Sequence, residues 1–276
     1  MPVRIVQSKQ NGRLKELRRA LTDPSRGEPV GIEGPNLLRE ALRANLRIHC
    51  VFVSNESEAA TQERTLPSGT EILLMPADIL ASALATETPQ PIAALVDPPQ
   101  WSWDQVLKSS QDAAPLVVVL AGLQDPGNLG TILRSAEAFG ASGVISLPGT
   151  VSEWNPKTVR ASAGSVFRVP VLATNPADAF TRLRASGIEV LVAAADSALA
   201  ADRARLAHPT AFLIGNEGNG VPLQIAELAD GAIRIPCPGP VESLNAAVAA
   251  SVLLYEASRQ RSTLSEPLSH VQEEAP

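Results

Sequence analysis

Three segments in the second half of the sequence combine glycines with polar side chains, a combination suited to binding a charged ligand. The first, QDPGNLGTILRSAEAFG, follows the apolar run PLVVVLAGL and carries Asn128 and Arg134. A glycine-bearing turn lets the backbone and the positive end of a helix approach an anion, and an arginine adds a bidentate donor. A tight strand-to-helix connection with a surface arginine has the same sequence pattern, so both interpretations stay open.

The second segment, GNEGNG, contains three glycines within six residues, together with the carboxylate of Glu217. This density implies backbone with positive φ and open space beside a ligand, although a surface turn has the same composition. The pattern is neither the GxGxxG dinucleotide fingerprint nor the GxxxxGK[ST] phosphate loop. A nucleotide-dependent oxidoreductase on a plain Rossmann sheet is therefore the weaker alternative.

The third segment, IPCPGPVESLNAAVAASVLLYE, places a proline-rich loop before a helix predicted over 244–259. The helix is entered through Ser243 and Asn245. Ser243 in this position is typical of an ordinary helix N-cap, which is the simpler explanation for it.

The elements around these segments alternate between strand and helix. The uninterrupted apolar run at 115–123 predicts a strand covered on both faces, and a helix is predicted over 131–139. Further strands are predicted at 143–147, 169–172, 189–195, 211–215 and 232–236. Such alternation indicates a parallel sheet, and ligands bind beyond the carboxyl ends of its strands, where the three segments stand.

The first 98 residues predict a smaller α/β domain. Helices are predicted at 12–21 and 35–44, and strands at 49–54, 71–75 and 92–96. We expect a linker over 99–114, whose Trp101 and Trp103 pack it onto a domain, and a second domain over 115–262. The polar tail at 263–276 ends acidic, which predicts disorder.

The net charge of −6 argues against a simple polyanion binder, but the charge is unevenly distributed. The first 54 residues hold ten Lys and Arg against five Asp and Glu. The side chains that this cluster offers for phosphate contacts are Arg13, Lys15, Arg18, Arg19 and Arg26. A solvated helix face would carry the same charges.

Cysteine and histidine usage predicts neither disulfides nor a metal site. The two cysteines form no CxxC pair, and the three histidines lack metal-ligand spacing. No apolar run approaches the roughly 18 residues of a membrane helix, and the first ten residues show no secretion signal. We expect a cytoplasmic protein without metal or membrane partner.

Taken together and in this order, the three segments resemble motifs one, two and three of the SpoU (TrmH) family of RNA ribose methyltransferases, within the SPOUT class. The stretch NPKTVRASAGSVFRVPV resembles the family's segment between motifs one and two. IEGPNLLREAL and TETPQPIAALV resemble, less strongly, an L30e-type substrate-binding domain. Pro91 and Cys237 depart from the commoner glycine and methionine.

The resemblance implies an α/β fold whose parallel-sheet domain is tied into a trefoil knot from near Thr210. It also implies S-adenosylmethionine as the methyl donor, a ribose 2′-hydroxyl as the acceptor, and a homodimer whose active sites are built partly across its interface. The extra domain favours ribosomal RNA over transfer RNA as substrate. The alternatives are a transfer RNA 2′-O-methyltransferase and a catalytically inactive RNA-binding member of the fold.

The resemblance further implies roles for individual residues. Arg134 would orient the acceptor and assist its deprotonation, and Asn128 would position the substrate or Arg134. Glu217, Ser243 and Asn245 complete the expected catalytic set. The expected cofactor-binding residues are Leu213, Gly215, Asn216, Glu217, Gly220, Ile235, Pro236, Ser243, Leu244 and Asn245. Lys157, Arg160 and Arg168 are candidate RNA contacts, although surface charge explains them as well.

Overall fold

The computed structural model describes residues 3–24, 27–84, 86–108, 114–216, 218–241 and 243–265. Contacts divide the chain into two compact units. The first comprises Met1–Trp101, Asp125–Arg134 and Val151–Val169; the second comprises Ser102–Gln124, Ser135–Thr150 and Pro170–Pro276. Two segments from the second half of the sequence therefore group with the first hundred residues.

The first unit is built on a five-stranded mixed sheet. Its strands are β1 (Val3–Ile5), β2 (Val30–Glu33), β3 (Ile48–Val53), β4 (Glu71–Leu74) and β5 (Ile92–Val96), in the order β1-β4-β3-β5-β2. β1, β4 and β3 run parallel, whereas β5 is antiparallel to both β3 and β2. Its early helices are α1 (Gly12–Thr22), α2 (Pro35–Arg43), α3 (Glu56–Thr65) and α4 (Ala77–Ala81).

Helix α1 shows how the apolar spacing in the sequence becomes packing. Leu14, Leu17 and Leu21, at spacings of three and four, are all buried in the core of the first unit. The Asn11 side chain accepts hydrogen bonds from the amides of Arg13 and Leu14 and so caps the helix. The helix predicted over 12–21 is confirmed.

The second half of the chain forms a six-stranded, entirely parallel sheet. Its strands are β6 (Leu116–Leu120), β7 (Gly143–Ser146), β8 (Val171–Ala173), β9 (Glu189–Ala193), β10 (Thr210–Ile214) and β11 (Gly231–Ile233), in the order β11-β9-β10-β6-β7-β8. The remaining helices are α5 (Trp103–Leu107), α6 (Pro126–Ala138), α7 (Pro156–Ala161), α8 (Pro176–Ala185), α9 (Leu223–Ala226) and α10 (Ala246–Ser265), of which α7 belongs to the first unit. Every residue of β6 and β10 is buried, and for β6 the uninterrupted apolar run predicted this.

The expected linker and tail contain helix. Residues 103–107 form α5, whose Trp103 packs against the core of the second unit with the Arg182 guanidinium 4.9 Å from its ring centroid. Trp103 therefore serves packing, as expected. Helix α10 continues to Ser265, beyond the predicted helix end at 259 and the predicted domain end at 262. Residues 109–113 and 266–276 lie outside the described residues.

Within the described ranges, no helix is both long and apolar enough to cross a bilayer. Nor do three or more His, Cys, Asp or Glu side chains in that part of the chain gather as ligands for an ion.

Candidate active site

The turn after β6 is fixed by the two strands beside it. The Ala121 amide donates to the Ile214 carbonyl at 2.9 Å, and the Gly122 amide donates to Thr150 Oγ1 at 3.1 Å. The same hydroxyl donates to the Leu120 carbonyl at 3.1 Å. The first motif therefore begins in a turn that β10 and the loop after β7 hold at the carboxyl edge of the sheet.

The GNEGNG loop after β10 closes on itself. The Asn216 amide donates to the Gly220 carbonyl at 2.9 Å, and the Gly220 amide donates back at 3.0 Å. A Cβ on Gly215 would lie 2.2 Å from the Gly220 carbonyl carbon, and Gly220 has a φ of +65°. The loop's own geometry thus requires both glycines, while Glu217 lies outside the described residues.

Asn216 ties this loop to the turn after β6. Its Nδ2 donates to the Gly122 carbonyl at 3.0 Å, and its Oδ1 accepts from the amides of Gly218 at 2.8 Å and Asn219 at 3.4 Å. The side chain was predicted to bind a cofactor. Its hydrogen bonds hold the first and second motifs together, and its contact with a cofactor stays a prediction.

The proline-rich loop follows β11. Its first residue, Arg234, makes backbone hydrogen bonds with Leu199 and Ala201 at 2.9 and 2.8 Å. Beyond it, Ile235 and Leu244 are half-buried, whereas Pro236, Cys237 and Ser243 are exposed. One strand, β9, separates β10 from β11, so the second and third motifs leave the sheet about 10 Å apart on the same edge.

Asn245, and not Ser243, caps the last helix. The Asn245 Oδ1 accepts from the amides of Ala247 at 2.9 Å and Val248 at 3.2 Å, and the helix begins at Ala246. The expectation of a Ser243 cap is wrong because the loop runs two residues further before the backbone turns helical. Ser243 is left exposed at the surface.

Helix α6 begins five residues earlier than predicted. Asp125 Oδ1 accepts from the Asn128 amide at 2.7 Å, which caps a helix that starts at Pro126. The Asn128 amide, and next the nearby Lys157, lower the pKa of the Asp125 carboxyl. Asn128 therefore lies in the first turn instead of before the helix. Asp followed by Pro is a common helix start, so the sequence contained this signal.

Arg134 lies further along the same helix. Its side chain is exposed, and no carboxylate of the described residues lies within ion-pair distance of its guanidinium. Asn128 is half-buried. At about 100° per residue the two side chains leave the helix about 120° apart, so they project from different faces.

Helix α7 packs directly against the first turns of α6. A Cβ on Gly130 would lie 2.5 Å from Ala161 Cβ and 2.7 Å from the Thr158 carbonyl, so only glycine permits this approach. The exposed Lys157 extends from α7 to within 3.4 Å of Asp125 Oδ2. Arg160, also exposed, lies on the same short helix. The structure therefore brings Lys157 and Arg160 beside the first motif.

Several predicted RNA contacts are already paired with carboxylates. Arg13 forms ion pairs with Glu16 at 2.9 Å and Glu71 at 3.4 Å, and Arg19 pairs with Glu28 at 2.7 Å.

Arg168 is likewise engaged, pairing with Glu40 at 2.7 Å within the first unit. Arg18 donates to the Ser82 carbonyl, and Lys15 is exposed. The basic character of α1 is thus partly neutralised by nearby acidic side chains, while Arg26 lies outside the described residues.

Comparison with known families decides the relationship. The profile of the SpoU rRNA Methylase family matches residues 115–255, about half of the chain. The chain belongs to the SpoU rRNA methylase family. A second profile, the MRM3-like substrate binding domain, matches residues 26–94. The three motifs lie within the first match, and IEGPNLLREAL lies within the second.

Individual relatives extend over nearly the whole chain. The 23S rRNA (guanosine(2553)-2′-O)-methyltransferase RlmP of Bacillus subtilis is 31% identical over 252 residues, which cover 91% of this chain and 97% of that protein. The SpoU methyltransferase AviRb from Streptomyces viridochromogenes, solved in complex with AdoMet, superimposes with a TM-score of 0.81. It is 29% identical, covering 94% of this chain and 100% of AviRb.

An AdoMet-bound rRNA methyltransferase from Sinorhizobium meliloti gives a TM-score of 0.80 at 29% identity. Here 93% of this chain and 98% of that chain are covered. These likenesses confirm the predicted family and the predicted class of α/β fold, a SPOUT-type parallel-sheet domain preceded by a smaller substrate-binding domain.

Proposed function

We propose that this protein transfers a methyl group from S-adenosylmethionine to a ribose 2′-hydroxyl of ribosomal RNA. Its family membership and the named activity of its Bacillus subtilis relative support this reaction. The structural observation that carries the proposal is the bond from Asn216 to the Gly122 carbonyl, because it joins the first two motifs at the edge where parallel sheets bind ligands.

The residues present fit S-adenosylmethionine. Ile235 and Leu244 are half-buried apolar side chains suited to covering an adenine, and the exposed backbone from Pro236 onward offers polar groups. The cofactor-binding residues predicted from the sequence, among them Leu213 and Gly215, lie at the end of β10 or in the loops that follow β10 and β11. When bound, S-adenosylmethionine supplies an electrophilic methyl carbon on a sulfonium.

The chain's own residues must align the ribose hydroxyl and remove its proton. We assign the alignment to Arg134, whose exposed guanidinium can bind the phosphate beside the target ribose. A guanidinium is almost always protonated, so electrostatic help suits Arg134 better than a role as proton acceptor. Asn128 would position the substrate. Asn245 would act through its cap, which fixes where the third motif enters α10.

Arg134→Ala tests this division of roles. Methyl transfer from labelled S-adenosylmethionine to RNA should fall to background, because the guanidinium that orients the acceptor is gone. Calorimetry should show cofactor affinity within about twofold of the wild type. Arg64→Ala, an exposed arginine on α3, is the matched control and should leave transfer intact. Lost cofactor binding in Arg134→Ala would refute the assignment.

The acceptor is identified by incubating the protein with labelled S-adenosylmethionine and total RNA from a strain lacking the gene. Mass spectrometry of the digested RNA should show a labelled 2′-O-methylnucleoside in the ribosomal fraction. Label in the transfer RNA fraction would select the alternative substrate. No transfer despite measured cofactor binding would favour an inactive RNA-binding member of the fold.

Lys157 and Arg160 are the basic residues best placed to bind RNA phosphates beside the first motif. Removing both should reduce the slope of binding affinity against salt concentration by about two, one per phosphate contact. Lys108→Ala is a control for the loss of an exposed positive charge. An unchanged salt slope in the double variant would count against contact.

The homodimer and the cytoplasmic location that we expect are part of the proposal. Val248, Val252 and Tyr255 recur at spacings of four and three along α10 and are 48%, 36% and 53% exposed. An apolar stripe of this kind on a surface helix is typical of an interface. We therefore expect Val252→Arg to halve the mass measured by sedimentation. Thr181→Arg, at an exposed position of α8, is the control and should leave the mass unchanged. A wild-type monomer would refute the dimer.

A further inference from the structure

The first unit contains a polar cavity that shares only Arg160 with the residues assigned above. Its volume is about 430 Å³, within the range of roughly 300–1,000 Å³ usual for small-molecule sites. The cavity is lined by Glu33, Thr86, Glu87, Thr88, Gln90 and Arg160. All six residues belong to the first unit, and every one of them is polar or charged.

Glu33 is the buried group of this cavity. It ends β2 and is only 6% exposed. Its Oε1 accepts from the Thr86 hydroxyl at 2.6 Å and from the Gln90 amide at 3.0 Å. One carboxylate oxygen therefore holds the loop 86–90 that forms a wall of the cavity.

The second oxygen of Glu33 opens into the cavity. No donor among the described residues lies within hydrogen-bond distance of Oε2. Oε2 is nevertheless not among the fully buried polar atoms without a partner in the described residues, so a ligand can reach it. An ionised carboxylate accepts hydrogen bonds at both oxygens, and a buried one is costly without them. Oε2 thus presents two acceptor positions to a ligand that carries hydrogen-bond donors.

Arg160 favours a ligand that also carries a negative charge. The exposed residue Arg160 also lines the cavity, and a guanidinium favours an anion such as phosphate. The hydroxyls of Thr86 and Thr88 supply further polar contacts. A nucleotide combines a donor edge with a phosphate, and among the bases guanine has two adjacent donors, N1–H and the 2-amino group. The amino groups of adenine and cytosine stand beside a ring nitrogen acceptor, which a carboxylate repels.

We propose that this cavity binds a guanine nucleotide of single-stranded RNA, with Glu33 Oε2 accepting hydrogen bonds from the guanine edge and Arg160 contacting phosphate. The proposal rests on the proposed function in one respect, since it takes RNA as the ligand. Recognition of an unpaired base by its Watson–Crick edge is the usual route to sequence-specific RNA binding. The cavity would thereby select the RNA segment that the enzyme holds during methyl transfer.

The test measures RNA binding by fluorescence anisotropy with the full-length protein and no cofactor. The probes are a nine-nucleotide RNA of adenosines with one central guanosine and the same RNA with inosine, which lacks the 2-amino group, in its place. We expect the wild type to bind the guanosine RNA about tenfold more tightly. Glu33→Gln should remove this preference, because its amide keeps an acceptor for Thr86 and Gln90 but presents a donor to guanine.

Glu87→Gln is the matched control, since Glu87 is an exposed carboxylate of the same cavity, and it should retain the preference. Equal binding of both RNAs by the wild type, or an unchanged preference in folded Glu33→Gln, would overturn the proposal. The wild-type comparison needs no variant, so it decides even where Glu33→Gln fails to fold. This binding test is independent of methyl transfer. A protein that transfers methyl groups but binds both RNAs equally would refute the cavity proposal and leave the proposed function intact.

Discussion

Replacing Asn216 by aspartate should separate the two motifs that this side chain joins. In Asn216→Asp, one carboxylate oxygen still accepts from the amides of Gly218 and Asn219, so the loop's internal bonds persist. The other oxygen faces the Gly122 carbonyl, where Nδ2 donates at 3.0 Å in the wild type. Two acceptors then oppose each other, and the variant loses one hydrogen bond and leaves the carbonyl without its donor.

The expected cost is about 1–3 kcal/mol, the usual range for leaving a partly buried polar group without its partner. If cofactor binding has to restore the joined arrangement, the dissociation constant for S-adenosylmethionine rises about 5- to 150-fold. Isothermal titration calorimetry measures this change, and urea unfolding measures the loss of stability. Lowering the pH should recover part of both, because a protonated aspartic acid regains a donor.

Asn219→Asp is the matched control for Asn216→Asp. It adds the same charge to the same loop at an exposed position, where only the backbone amide bonds to Asn216. Its affinity for the cofactor should stay close to that of the wild type. If Asn216→Asp binds the cofactor as tightly as Asn219→Asp and unfolds at the same urea concentration, the reasoning about the joined motifs is refuted.

Two further predictions concern stability. Asp125→Ala should lower the free energy of unfolding by about 1 kcal/mol at neutral pH, since α6 loses its cap. The pKa of the Asp125 carboxyl is lowered in the native state. The difference in stability between wild type and variant should therefore hold above the ordinary pKa of 3.8 and shrink as the pH falls below it. Denaturant unfolding at a series of pH values checks this, and a difference that grows toward acid would contradict it. Arg261→Ala should lower the free energy of unfolding by about 2–3 kcal/mol, because the guanidinium donates to the backbone carbonyls of residues 114, 115, 206 and 208. Burial lowers the pKa of Arg261 to about 10, so the side chain remains charged at neutral pH. Arg259→Ala, an exposed neighbour paired with Glu256, should change the unfolding midpoint little, and equal effects of the two variants would contradict the assignment.

Local patterns in the sequence were sufficient for most of the secondary structure. The apolar run of β6 indicated a strand buried on both faces, and the leucine spacing of α1 is typical of a helix with one buried face. The missed elements lack such patterns. Strand β1 has only three residues, and its Ile5 is 67% exposed. Helix α3 reads ESEAATQERT, whose two apolar residues, Ala59 and Ala60, are too few to form a stripe.

The candidate site was predictable only as three motifs. Which residues bind a ligand and which hold the loops depends on contacts between positions far apart in sequence. The Asn216 bond to Gly122 spans 94 residues, and the Glu33 bond to Thr86 spans 53. No local spacing reports such pairs. The Asp125 cap is different, because the Asp-Pro step was present and a closer reading of helix starts would have found it.

The hydrogen bond from Arg261 to the Ala114 carbonyl has a consequence for folding during synthesis. It joins residues 147 positions apart, the one just before the second sheet's first strand and the other near the end of the last helix. Strand β6 must also wait for β10, whose register places Thr210 beside Leu116. A ribosome adding about 5–20 residues per second therefore releases β6 several seconds before β10 exists, although β7, which pairs with the other edge of β6, follows much sooner. During that interval one edge of an apolar strand is unpaired, which exposes the nascent chain to aggregation.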